Sequence, residues 1–244
     1  MDAWVSTPRF ACLSPEPGSG KTRVLEITNN LVPRPVQSLN VSPSYLFRKV
    51  ADEKGRPTIL FDEIDTVFGP KAQNNEELRG LLNAGHRKGA VAGRCVVRGK
   101  LIETEEIPAY CAVALAGLDD LPDTIRSRSI LIRMRRRAPD EHVEPYRERI
   151  HAPAGQGLRD ELAAWAIEAE TDLSEARPEM PEGIVDRDAD IWEPLLAVAD
   201  MAGGEWPKLA RVSAVTLVTL AKGGTPSIGI RLLTDLKMVF GMYA

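Results

Sequence analysis

Hydrophobic and polar positions divide the chain into two parts. Up to about residue 137, short runs that are apolar on both faces alternate with amphipathic stretches; beyond it the runs stop and only helical periodicity remains. Runs of the first kind suit central strands of a parallel sheet covered on both sides by helices. Candidate strands lie around Arg9, Gln37 (residues 37–41), Ile59, Ala112 and Ile130, joined by helical crossovers. Residues 21–30, KTRVLEITNN, read as the first helix, which Pro33 and Pro35 prevent from extending. Ser42 and Pro43 open the next, as an N-cap hydroxyl followed by proline in the permitted first turn. The segment Gly55-Arg56-Pro57 closes that unit ahead of TILFDEID, residues 58–65.

After a break at Phe68-Gly69-Pro70, residues 74–88 read as a helix with Leu78, Leu81 and Leu82 on one side, weakened by Gly80 and Gly85. Residues 91–103 alternate weakly about Arg98-Gly99-Lys100, as a hairpin with a basic tip would. Pro122 can start a short helix presenting Arg126 and Arg128 ahead of the last strand. Residues 141–150, 158–170, 188–202, 207–220 and 228–242 are helical in period, with breaks expected at residues 152–155, at Arg177-Pro178, at Gly203-Gly204 and at Gly223-Gly224. Trp165, Trp192 and Trp206 are expected to pack this half. The predicted fold is α/β: a five-stranded, mostly parallel sheet in residues 1–138, then a helical lid in residues 139–244.

Candidate chemistry sits where the first strand ends. Residues 14–22, SPEPGSGKT, follow an apolar run and precede a helix, the order of a phosphate-binding loop. Such a loop curls backbone N–H groups around a phosphate, while a lysine reaches the outer oxygens and a hydroxyl completes a Mg²⁺ shell. Lys21 and Thr22 fit those two tasks; Glu16, Pro17, Gly18, Ser19 and Gly20 form the cradle, and Arg23 opens the helix. The pattern GxxxxGK[ST] calls for glycine at position 15, where this chain has proline. Gly18 and Gly20 still supply the backbone freedom for the nest. A PGSG sequence is also an ordinary surface turn, so a second signal matters. It comes in Asp62 and Glu63, which end an apolar run as a metal-shell carboxylate and a water-polarising base would. A solvated acid pair at a strand end is the plainer alternative.

Composition narrows the class. The chain has 244 residues, 43% hydrophobic, with net charge -4, enough for an α/β core with a smaller appendage. No apolar run reaches the roughly 20 residues of a membrane-spanning helix, and no signal pattern opens the chain, so a cytoplasmic location is expected. About eight residues precede the first strand, which suggests either a minimal protein or a piece of a longer one. Cys12, Cys95 and Cys111 are too scattered for a disulfide framework, and His86, His142 and His151 share no ligand spacing. The stretch 126–137, RSRSILIRMRRR, holds six arginines and no acid. It is a basic edge for nucleic acid or another subunit, or a set of solvated and salt-bridged side chains. Arg128 has a sharper possibility: placed just before the last strand, it could cross a subunit boundary as an arginine finger.

The motifs SPEPGSGKT, LFDEID (60–65), NEELRGLLNAGHRKG (75–89), LPDTIRSRSI (121–130) and DRDADIWEPLLAVADMAGG (186–204) together resemble the DUF3631 family across nearly the whole chain. These are P-loop ATPase-like domains of phage, plasmid and actinobacterial proteins, often attached to primase or helicase modules. The arrangement also resembles the broader AAA+ class. That resemblance implies Lys21 and Thr22 at the phosphates and Mg²⁺, Asp62 as the Walker B acid, Glu63 as the catalytic base and Arg128 as the finger. It implies Arg187, with Arg211 behind it, as the arginine approaching the nucleotide from the lid. The fourth strand ends Ala114-Leu115-Ala116-Gly117 without the polar residue that usually senses the γ-phosphate. The implied function is an oligomeric, Mg-dependent ATPase of phage or plasmid DNA replication, with DNA or a primase- or helicase-type partner. An ATP-binding adaptor with little turnover is the alternative, and a small-molecule kinase fits less well.

Overall fold

The computed structural model describes residues 3–38, 42–68, 76–99, 101–118 and 120–223, together with Leu232 and Leu236. The expected helix at 228–242, the ends of the expected strand at 37–41 and helix at 74–88, and the hairpin's Lys100 lie outside, or partly outside, the described residues. In chain order the first part contains β1 (Arg9–Leu13), α1 (Lys21–Leu31), β2 (Pro35–Ser38), α2 (Pro43–Val50), β3 (Thr58–Phe61), α3 (Asp65–Phe68) and α4 (Glu76–Ala84). It continues with β4 (Val91–Arg98), β5 (Leu101–Pro108), β6 (Ala112–Gly117), α5 (Asp123–Arg126) and β7 (Ser129–Arg133). The second part is α6 (Glu148–Glu168), α7 (Glu170–Glu175), α8 (Asp186–Ala202) and α9 (Trp206–Lys222).

All pairings in the main five-stranded sheet are parallel, in the order β2-β3-β6-β1-β7. Alternation along each strand explains the double covering. Ile59 and Phe61 join Val113, Leu115, Ala11 and Leu13 in one cluster with Leu46, Phe47, Leu81 and Leu82 from α2 and α4. Leu60, Ala114 and Ala116 face the other way, against Leu25 of α1. On β7, Ile130 and Ile132 meet Ile184, Ile191, Trp192 and Leu196, so the helical part buries its core against the sheet's last strand. From β1 the chain crosses to β2 at one edge, and from β6 it passes over β1 to β7 at the other. That change of direction opens a crevice beside the carboxyl end of β1, where open α/β sheets take ligands.

The Ser42 cap forms as expected: its hydroxyl accepts from Tyr45 N at 3.3 Å, with Pro43 in the first turn. Three expectations give way. The hairpin β4–β5 runs to Pro108 in antiparallel register, well past residue 103. Residues 141–147 are not helical, because the Glu141 carboxylate turns back to accept from Ala138 N at 2.7 Å and from Arg135. The expected break at 152–155 lies inside α6, which continues through Pro153. Gly155 serves there as a packing gap: a Cβ on it would stand 3.0 Å from Asn30 Cβ of α1. Of the three tryptophans, Trp192 is buried and Trp165 half-buried, whereas Trp206 stays 62% exposed.

Candidate functional site at the two edges of the sheet

The turn after β1 is built around two left-handed glycines, Gly18 at φ 76° and Gly20 at φ 91°, the second being the N-cap of α1. A side chain at either would be strained. Ser14, fully buried, fixes the start: its N–H donates to Gly117 O at 3.1 Å, and its hydroxyl accepts from Glu16 N at 3.1 Å. Lys21 folds back under the turn, its Nζ 3.2 Å from Ser14 O, 3.0 Å from Glu16 O and 3.1 Å from Ser19 Oγ. A cation inside a ring of carbonyl and hydroxyl oxygens can exchange those acceptors for the oxygens of an incoming anion. The first turn of α1 has no acidic residue, so nothing there offsets the positive end of the helix dipole. Thr22 and Arg23 are exposed beside it; Arg23 pairs with Glu26 and lies 4.8 Å from the centroid of the Tyr146 ring.

The segment leaving β7 clamps the turn from outside. Met134 N donates to Leu13 O at 2.8 Å, Arg136 Nε to Pro17 O at 2.7 Å, and Arg136 N to a Glu16 carboxylate oxygen at 3.2 Å. Within the arginine run, Arg126 pairs with Asp123, Arg133 with Asp120 and Arg135 with Glu141. Salt bridging therefore accounts for those three.

Asp62 and Glu63 follow β3, which is separated from β1 by β6. At ~4.8 Å between neighbouring strands, the two strand ends stand ~10 Å apart, room for a phosphate and a hydrated ion. Asp62 is half-buried and its Oδ1 accepts from Glu63 N at 3.0 Å. Glu63 is exposed and held at φ 55°, a left-handed conformation unusual for a residue with a Cβ. Its neighbours anchor it: Ile64 N donates to Ala116 O at 2.9 Å, and Asp65 Oδ2 accepts from Leu118 N at 2.8 Å. Gly117 is required for this closeness, since a Cβ there would come 2.6 Å from Ile64 Cγ2 and 3.2 Å from Asp65 Oδ1. Among the described residues no group of three or more His, Cys, Asp or Glu side chains could hold a metal. Thr22 and Asp62 suit a Mg²⁺ that keeps several waters and takes further oxygens from a bound phosphate.

Arg128 and Arg187 lie at the other edge. Ser129 pairs with Arg9 at the beginnings of two parallel strands, and Arg9 N donates to Arg128 O at 2.9 Å. The glycine turn at 14–22 follows Leu13, at the far end of β1. Arg187 Nη1 donates to Ser127 Oγ at 2.9 Å, which places it beside Arg128 and away from the loop of its own chain. Arg211 instead ties α9 to α8 through both Asp200 oxygens, at 2.5 and 2.9 Å. Arg128 donates to Thr124 O and, at 3.4 Å, to Asn83 Oδ1, while its buried Nε has no partner. Burial and the nearby Arg187 lower its pKa.

Arg9, which the sequence suggested only as a strand start, is the structural key of this edge. It is fully buried, donating from Nη1 to Cys111 O at 2.6 Å and from Nε and Nη2 to Leu82 O at 3.3 and 3.1 Å. Leu82 lies in the last turn of α4, so the guanidinium satisfies a helix-end carbonyl. Desolvation lowers its pKa to about 10. Its one sequence signal is a charge opening an otherwise apolar strand.

Residues 133–244 match a family described as "Protein of unknown function (DUF3631)". An "Uncharacterized 28.9 kDa protein in xis 5'region" of Saccharopolyspora erythraea is 48% identical over 109 residues, 44% of this chain and 41% of that protein. The chain thus spans about two fifths of that relative's length. The family match covers the helical part and the end of β7; the loop at 14–22 and the Asp62–Glu63 pair lie before it, so it is narrower than the motif resemblance implied.

Proposed function

We propose that the chain is a Mg-ATP-binding P-loop module that hydrolyses ATP as a homo-oligomer in phage or plasmid DNA replication or related DNA metabolism. A DNA or primase- or helicase-type partner is part of that reading, through the motif resemblance. The observation that carries the nucleotide site is Lys21 seated among Ser14 O, Glu16 O and Ser19 Oγ beneath two left-handed glycines, with an acid pair two strands away at the same sheet edge. On binding, Lys21 exchanges loop oxygens for phosphate oxygens and the amides from Gly18 to Thr22 surround the phosphate. Thr22 and Asp62 would hold a Mg²⁺, which would supply charge neutralisation at the transferring phosphoryl. Glu63, anchored by its neighbours in an unusual conformation, orients and deprotonates the attacking water. Arg128, at the sheet edge remote from its own loop, serves a neighbouring subunit.

Calorimetric titration with Mg-ATP tests the reading. Wild type should bind and Lys21→Ala should bind far more weakly; equal affinities would sink it. An adaptor with little turnover has its own supporting observation: β6 ends in Gly117, whose Cβ position is crowded by Ile64 and Asp65, leaving no polar side chain to sense a terminal phosphate. Phosphate release indistinguishable from the Lys21→Ala background, with partner and DNA present, would favour that reading.

A further inference from the structure

We propose that Arg187 acts in trans, pairing with Arg128 in a two-guanidinium clamp that receives the terminal phosphate of a nucleotide bound to a second copy of this chain. The inference rests on the nucleotide-site reading above; its new element is Arg187, which the motif resemblance would assign to its own chain's nucleotide.

Position is the first argument. Arg187 is tethered to Ser127 at 2.9 Å, just before β7, whereas the loop lies beyond the other end of the parallel β1. Five residues of strand at ~3.3 Å each separate the two by ~16 Å. Electrostatics is the second. Arg187 and Arg128 are close enough to oppose each other's charge, yet among the described residues neither has an acidic partner. Arg128 Nε is buried and unpartnered. Adjoining it is an open cavity of about 530 Å³ whose charged and titratable lining is His86, Arg87, Lys88 and Arg128, without a carboxylate. Two guanidiniums side by side, with one donor unused and no acid among the described residues paired to either, form a receptor for an anion.

Complementarity identifies the partner. The opposite edge of the same sheet carries exposed Glu16 and Glu63 with half-buried Asp62 beside Lys21, Arg23 and Arg136, so the bound triphosphate itself would supply the negative charge that the two guanidiniums meet. Stacking the cationic edge of one copy on the nucleotide-bearing edge of the next gives a head-to-tail contact, which closes to a ring or continues as a filament. At that contact the oxygen of water bonds to the γ-phosphorus as the β–γ bridging bond breaks. ADP leaves with the electron pair, the water proton passes to Glu63 of the loop-bearing copy, and the two guanidiniums balance charge on the equatorial oxygens.

Mixing full-length variants provides the test. Lys21→Ala lacks the loop cation but keeps both arginines; Arg187→Ala keeps the loop, and its exposed site makes misfolding simple to exclude by circular dichroism. Each alone should lose at least ~10-fold in phosphate release. In an equimolar mixture about a quarter of head-to-tail interfaces unite an intact loop with an intact clamp, so activity should return in part. The same mixture should regain tight binding of a fluorescent non-hydrolysable ATP analogue, a readout independent of turnover. Recovery with Arg128→Ala but none with Arg187→Ala, in mixtures shown to co-assemble by sedimentation, would overturn the proposal and return Arg187 to its own subunit. Failure of the analogue to drive wild-type association would overturn it as well. Lys21→Ala binding the analogue as tightly as wild type would instead refute the loop reading beneath it.

Discussion

The two ends of the central sheet deal with charge in opposite ways. At the carboxyl end the chain spends backbone geometry: Gly18, Gly20 and Glu63 all adopt positive φ, and the cation there, Lys21, is enclosed by oxygen acceptors. At the amino end Arg9, Arg128 and Arg187 are held by carbonyls, a hydroxyl and an amide oxygen, with no acid among the described residues pairing to any of them. A net charge of -4 conceals this gathering of guanidiniums at the amino end. The contrast teaches that charge balance is set residue by residue within one run: Arg126, Arg133 and Arg135 have acid partners, whereas Arg128, two residues from Arg126, has none among the described residues.

The largest effect is expected at the carboxyl end. Glu63→Gln should retain Mg-ATP binding while phosphate release falls at least ~100-fold, because water activation acts on the transition state more than on the ground state. Unchanged turnover would assign the strained carboxylate a role outside the chemistry. Next comes Arg9→Met, which removes the buried charge but leaves the Leu82 and Cys111 carbonyls without their donor. A loss of roughly 1–3 kcal/mol in urea unfolding is expected; a neutral result would mean that water replaces the guanidinium. Gly117→Ala should cost about 1–2 kcal/mol through overpacking, because its Cβ would meet Ile64 at 2.6 Å. Unaltered stability would show that the turn after β3 can retreat.

Much of this architecture was legible in the chain. The runs that became β1, β3, β6 and β7 are apolar on both faces, and the structure divides Ile59 and Phe61 from Leu60 between opposite sides of the sheet. What escaped was decided by tertiary partners. LIETEEIP carries too many acids to read as a strand throughout, but register with β4 carries it to Pro108. The small residues at 152–155 read as a break because their lack of bulk is useful only where α6 approaches Asn30. The loop and the acid pair announced themselves as local motifs. The union of Arg187 with Ser127, sixty residues apart, could not.

The smallest effect concerns His86, beside the arginines of the amino end. Its Nδ1 stands 2.8 Å from Asn83 O, and the ring is half-buried. Burial is the main cause lowering its pKa from the ordinary 6.5; Arg128, Arg9 and Arg87 push the same way, against the Asn83 carbonyl. The sign follows directly. Below about pH 6.5 the unfolded chain binds a proton that the folded ring resists, so stability is full above that value and falls as pH drops toward the folded pKa. Between about pH 7.5 and pH 5.5 the unfolding free energy of wild type should decline by under ~1 kcal/mol more than that of His86→Asn. Saturating the neighbouring cavity with inorganic pyrophosphate should reduce that difference, since an anion among the arginines stabilises the charged imidazole. Identical pH slopes for the two proteins would mean that neither burial nor the neighbouring arginines holds the ring neutral, whereas a difference that pyrophosphate leaves unchanged would assign the effect to burial alone.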